Sequence, residues 1–165
     1  MPSPLGGVDQ LRRDIELVAK HLPLKSDDRT LLVLKGHLLL ENLLTEYIVS
    51  NVPDASHLEA GQFRFPQRVA LVRMFGPKGS NEWVWEALKK LNSLRNTLAH
   101  RLESENAEQK LNDFLKAVPP STPSPAFGPL ADALINLYFG VADHLRFKTY
   151  QELLVGALRN WAPPN

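Results

Sequence analysis

The stretch Asp28 to Val49, "DRTLLVLKGHLLLENLLTEYIV", decides the fold class. Its apolar residues recur at helical spacing and cover most of the circumference, leaving a narrow polar stripe of Lys35, Asn42 and Glu46. A strand would alternate instead, and a membrane span would need about 20 predominantly apolar residues. Here Lys35, His37, Glu41 and Asn42 interrupt the apolar runs Leu31–Leu34 and Leu38–Leu40. A helix that is apolar on nearly all sides must be wrapped by others, so this one sits at the centre of a bundle. Ser26-Asp27-Asp28 supplies its N-cap cluster.

Outward from that helix, the same periodicity continues in both directions. Val8 to Leu22 is amphipathic, with Leu11, Ile15, Val18 and Leu22 at helical spacing, and Pro23 ends it. Pro53, Gly61 and Pro66 punctuate a looser segment before a short helix carrying Val69, Leu71, Val72 and Phe75. Gly76-Pro77-Lys78-Gly79 reads as a turn, and Ser80-Asn81 then caps a helix from Glu82 to about Arg101. Further helices are expected over Ser104–Val118, Leu130–Phe147 and Tyr150–Trp161. Between Val118 and Pro129 stand Pro119, Pro120, Pro123, Pro125 and Pro129, which forbid regular structure and make a stiff connection. The expectation is an all-α, single-domain helical bundle of six to seven helices. Residues 1–7 form a flexible start, 8–118 the core, 119–129 the proline-rich loop and 130–162 a C-terminal helical pair.

Composition narrows the class further. The chain has 165 residues, 44% hydrophobic and 22% charged, a globular profile long enough to bury a core unaided. With no cysteine there is no disulfide, thiolate metal site or cysteine nucleophile. The five histidines are scattered and no His-x-x-x-His pair exists, so no metal or other cofactor is expected. The start, "MPSPLGG", lacks the basic and apolar regions of a secretion signal, and the expectation is a cytoplasmic protein without a membrane partner. A net charge of +1 is too balanced for blanket neutralisation of phosphates, so any nucleic-acid contact must be local or pooled by a dimer.

The helix Glu82–Arg101 carries the chemistry. At ~100° per residue, Val84, Ala87, Leu88, Leu91, Leu94, Leu98 and Leu102 form one core stripe, and Arg95 lies only ~40° from its centre. An arginine there needs a partner or must reach out along its own stem. Asn96 and His100 share the opposite face with Trp85, Lys89 and Asn92, a mixture that suggests an interface or, alternatively, cover by a loop or neighbouring helix. His100 falls in the last turn, where the helix dipole favours a positive imidazole. A histidine that titrates near neutrality can carry protons in phosphodiester cleavage, and an arginine can hold the phosphate by two hydrogen bonds. Arg95 starts ~140° from His100 around the axis, so its side chain would have to bring the guanidinium round.

Residues Leu91 to His100, "LNSLRNTLAH", resemble the signature of the HEPN superfamily: an arginine, a polar residue, commonly asparagine, and a histidine a few positions on. The run "FPQRVALVRMFG" (Phe65 to Gly76) is similar to the branch that includes mannitol-operon-repressor-type regulators, and "GHLLLENLL" (Gly36 to Leu44) suits the same layout. The resemblance implies a homodimer whose two Arg/Asn/His sets share one cleft. In catalytic members that cleft cuts RNA without a metal and leaves a cyclic phosphate, often as a toxin opposed by a cognate antitoxin protein or in phage defence. Carried over, Arg95 binds the phosphate, Asn96 positions it and His100 moves protons. Catalytic members often have a tyrosine two residues after the histidine, where Leu102 stands here. A second reading therefore stays open: a non-catalytic helical regulator or interaction module of the mannitol-repressor kind, acting in transcriptional regulation.

Supporting residues come from elsewhere in the chain. His37 and Glu41 are four apart on the central helix, close enough to bond each other. One reading makes them a satisfied buried histidine and an edge carboxylate; the other has Glu41 pair with Arg95 or orient His100. Arg64 and Arg68, with Phe63 and Phe65, form a basic-aromatic cluster able to hold RNA by charge and stacking, or else a solvated basic face. Lys89 and Arg101 join them as candidate RNA contacts, although Lys89-Lys90 also reads as the solvated side of its helix.

Overall fold

The computed structural model describes residues 6–56, 63–78, 81–100, 106–120 and 126–159, with side chains from residue 9 onward and, in the last stretch, up to 145. Among these residues there are six helices and no strand: α1 (Gly6–His21), α2 (Arg29–Asn51), α3 (Phe65–Phe75), α4 (Trp83–His100), α5 (Ala107–Ala117) and α6 (Pro129–Arg159). The all-α bundle expected from periodicity is the fold. No helix among the described residues is long and apolar enough to cross a membrane.

Asp28 starts the central helix as its N-cap, accepting the Leu31 N–H at 3.0 Å, while Ser26 Oγ accepts the Asp28 N–H at 3.1 Å. The apolar girth of α2 buries Leu32, Val33, Leu39, Leu40, Leu43, Leu44 and Ile48, and the helix packs along α3, α4 and α6. Its polar stripe of Lys35, Asn42 and Glu46 is exposed as expected. The fully buried centre is made by Leu40 and Leu44 of α2, Leu88, Leu91 and Leu94 of α4, Phe114 of α5, and Leu137 and Val141 of α6. Each such side chain contributes about 1.5–3 kcal/mol by leaving water. Two glycines let α6 approach closely: a Cβ on Gly36 would come within 2.7 Å of a Leu134 methyl, and one on Gly140 within 2.5 Å of the Trp83 ring.

Three local expectations are corrected. Residues 130–159 form one continuous helix rather than a pair, because "RFKTY" (146–150) contains neither proline nor glycine to stop it. Asn81 ties α4 to α6, its Nδ2 donating to the Gly140 carbonyl at 3.4 Å and to Asp143 at 3.3 Å. α5 begins at Ala107, with Asn106 in the cap position making no side-chain cap bond; Ser80, an expected cap residue of α4, and Ser104, where the next helix was expected to start, lie outside the described residues.

Candidate functional site

Leucines at helical spacing hold α4 in place, and their burial fixes what its other sides present. Val84, Ala87, Leu88, Leu91 and Leu94 are buried, with Leu98 packed against them. Arg95 follows directly and is half-buried, whereas Asn96 and His100 are exposed. Arg95 Nη1 donates to Asn96 Oδ1 at 3.2 Å. That bond draws the guanidinium toward Asn96, which lies only ~40° from His100 on the helix wheel. Among the described residues no carboxylate pairs with Arg95.

His37 lies close by, buried on α2. Its Nε2 sits 3.2 Å from Asn92 Oδ1, and its ring stacks on Phe65 with centroids 4.1 Å apart. An amide oxygen only accepts, so His37 carries its proton on Nε2. Burial holds its pKa below the usual histidine value; the Asn92 bond and the charge of Glu41 oppose the shift, and the charge of Arg95 adds to it. His37, Asn92, Arg95, Asn96 and His100 thus follow one another from the α2–α4 contact to the end of α4. The first two are structural in geometry, the last two open to solvent.

Of the two readings open for His37 and Glu41, the structure agrees with the satisfied buried histidine and the edge carboxylate rather than with a Glu41–Arg95 pair. Arg68 of α3 takes the carboxylate, with Nε 3.4 Å from Glu41 Oε1 and Nη1 donating to Thr45 Oγ1 at 2.7 Å. The Nε contact is ionic rather than a well-aligned hydrogen bond. Glu41 and Thr45 are one turn apart on α2, so a single guanidinium from the neighbouring helix spans both. Arg68 is therefore turned inward, its side chain only 13% exposed, and the basic-aromatic cluster dissolves: Phe65 is buried too. Arg64 is exposed at the N-cap of α3, its backbone N–H donating to Gln67 Oε1 at 2.7 Å. Lys89 is exposed, and Arg101 lies outside the described residues.

Trp85 is not an open interface residue. It is buried under α3 and α6, edge-on to His144 at 5.1 Å between centroids, with the Arg73 guanidinium 5.8 Å from its ring. The face shared by Trp85 and His100 is thus covered in its first turns and bare in its last. Asn92 as the partner of His37 escaped sequence reasoning, although its place three residues before Arg95 was legible. So did Lys110, whose Nζ donates to Thr97 Oγ1 at 2.7 Å and pins α5 across the far side of α4.

Among the described residues, no three His, Cys, Asp or Glu side chains gather as a metal site. No family model, curated protein or solved structure matches the chain. Fold and site together define a class: an all-helical bundle that presents arginine, asparagine and histidine in succession at one helix end.

Proposed function

We propose that this chain is a cytoplasmic, metal-independent endoribonuclease of the HEPN type, working as a homodimer in which two α4 ends face one phosphodiester. The observation that supports it most is the state of Arg95. Among the described residues, this cation at the margin of the core has no acid on it, and its side-chain bond leads to the exposed Asn96, on the face that carries His100. An arginine kept for structure would have the partner that Arg68 has.

In this reading Arg95 donates two hydrogen bonds to the non-bridging oxygens of the phosphate, and Asn96 fixes the guanidinium and the phosphate in register. One His100 accepts the proton of the ribose 2′-hydroxyl as that oxygen attacks phosphorus. The bond from phosphorus to the 5′ oxygen breaks, leaving a 2′,3′-cyclic phosphate and a 5′-hydroxyl. The partner subunit's His100, protonated, supplies the proton that the leaving oxygen takes up. No water or metal enters the balance. A toxin held by a cognate antitoxin protein, or a phage-defence nuclease, is the role such chemistry suits.

The test incubates the purified protein with assorted RNAs in excess chelator, beside His100→Ala and Arg95→Ala. Cyclic-phosphate products are expected from the wild type, with each variant slower by about 10²-fold or more. A wild type that cuts nothing, or variants that cut equally well, overturns the enzyme; sedimentation that shows only monomer overturns the shared cleft.

A further inference from the structure

Between α3 and α4 lies an open groove of about 510 Å³, within the size range of small-molecule sites. Its walls are apolar: Phe65, Val69 and Met74 of α3 face Trp85 and Leu88 of α4. Two of these walls are fixed. Phe65 rests on the buried His37 ring, and Trp85 is held between His144 and Arg73. Met74 is 76% exposed, an unbranched side chain free to settle on whatever lies beneath it. Such a hollow favours an apolar occupant, and its stiff aromatic sides lower the entropy cost of binding one.

The charges on the groove are of one sign. Among the described residues, Arg73 and Lys89 line it and no carboxylate does. Arg73 meets Glu82 only at 3.8 Å on the open surface, an ion pair of small worth. Lys89 is exposed and pairs with nothing among the described residues. Asn92 lies on the same face, three residues further along α4. Its Oδ1 is engaged by His37, which leaves the Nδ2 hydrogens to donate.

We propose that this groove binds a small apolar monoanion. Its aromatic or alkyl body lies between Phe65, Met74 and Trp85, and its carboxylate takes hydrogen bonds from Lys89 Nζ and Asn92 Nδ2. The site uses none of Arg95, Asn96 or His100, so it stands or falls apart from the ribonuclease reading. A neutral ligand of the same shape would forgo the charge-assisted bond, and a cationic one would meet two like charges.

Calorimetric titration of the full chain with naphthalene-1-acetate and with naphthalene-1-acetamide tests this, since the two probes differ in little but charge. The acetate is expected to bind about tenfold or more tightly than the amide, a difference of ~1.4 kcal/mol. Lys89→Glu should erase that preference, and Ala70→Trp, placed on the exposed α3 side of the groove, should weaken both probes at least tenfold. Both variants should keep the wild-type circular dichroism; if the tryptophan disturbs folding, the surface Lys89→Glu comparison decides alone. Equal affinity for the two probes, or binding that Lys89→Glu leaves untouched, overturns the proposal. So does sedimentation in which a dimer is split by Ala70→Trp while neither probe binds, because a second copy is then the occupant.

Discussion

Arg68 on α3 and Arg95 on α4 both stand at the margin of the apolar core, and the bundle treats them in opposite ways. Arg68 is drawn in between helices, where Glu41 and Thr45 of α2 engage its guanidinium. Among the described residues Arg95 has only the amide oxygen of its own neighbour, Asn96. Position on a helical wheel is similar for the two. What separates them is whether a facing helix offers a carboxylate within reach, and α2 offers its one nearby acid to α3. Desolvating a guanidinium costs several kcal/mol unless it is paired, so Arg68 can be buried and Arg95 must stay in contact with water. The same division holds for the histidines: His37 is enclosed with a bonded amide, and His100 is open.

The largest effect expected from this contrast is at Arg68. Arg68→Ala leaves Glu41 facing an apolar helix without its cation, and the loss should be about 2–3 kcal/mol, below the full figure for a buried pair because the Glu41 side chain is 30% exposed. In a domain of this size that lowers the melting temperature by roughly 2–4 °C per kcal/mol. Glu41→Ala should cost a similar amount, and the double variant less than the sum, as measured by urea denaturation. Strict additivity would show that the ion contact contributes nothing and would break the comparison.

Next in size is a pH effect from the enclosed histidine. The folded pKa of His37 lies below its unfolded value of 6.5, chiefly through burial. Above that value both states leave the ring neutral. As pH falls below 6.5 the unfolded chain takes up a proton that the folded chain refuses, so stability drops until the folded pKa is passed. The stability gap between wild type and His37→Gln should therefore narrow from pH 7 to pH 5. A gap that stays constant over that window, or widens, contradicts the assignment.

How much of this was legible in the sequence follows from which interactions are local. Helix periodicity, the Asp28 cap and the α4 core stripe as far as Leu98 are contacts of a residue with its own helix or with any apolar neighbour, and they were legible. Which apolar residues end up covered was less so, since Leu11 and Ile15 of α1 and Leu31, Leu34, Leu38 and Val49 of α2 are exposed. The order Arg95, Asn96, His100 along one helix was visible for the same reason. The partner of Glu41 was not, since it depends on how α3 crosses α2 and brings Arg68, rather than Arg95, to it. Trp85 reads as part of an interface, with a covering loop or neighbouring helix as the alternative; His144 of α6 and the crossing of α3, both long-range, cover it. The groove beside it is likewise a product of two helices and invisible in either alone.

The smallest effect on stability is expected at Arg95, and its smallness is what makes it informative. Arg95→Ala removes a half-buried cation whose only side-chain bond among the described residues is to an exposed neighbour, so no buried charge is left behind there. A loss of at most about 1 kcal/mol is expected, in the range of solvent-facing contacts. A second readout moves even if stability does not. The charge of Arg95 helps hold the His37 pKa down, so the variant should shift the His37 titration upward, readable from its ring proton resonances. If Arg95→Ala instead destabilises as much as Arg68→Ala, the arginine is part of the scaffold and cannot be the phosphate-holding group. A variant that folds normally, shifts His37 upward and cuts no RNA would separate chemistry from architecture at this one residue.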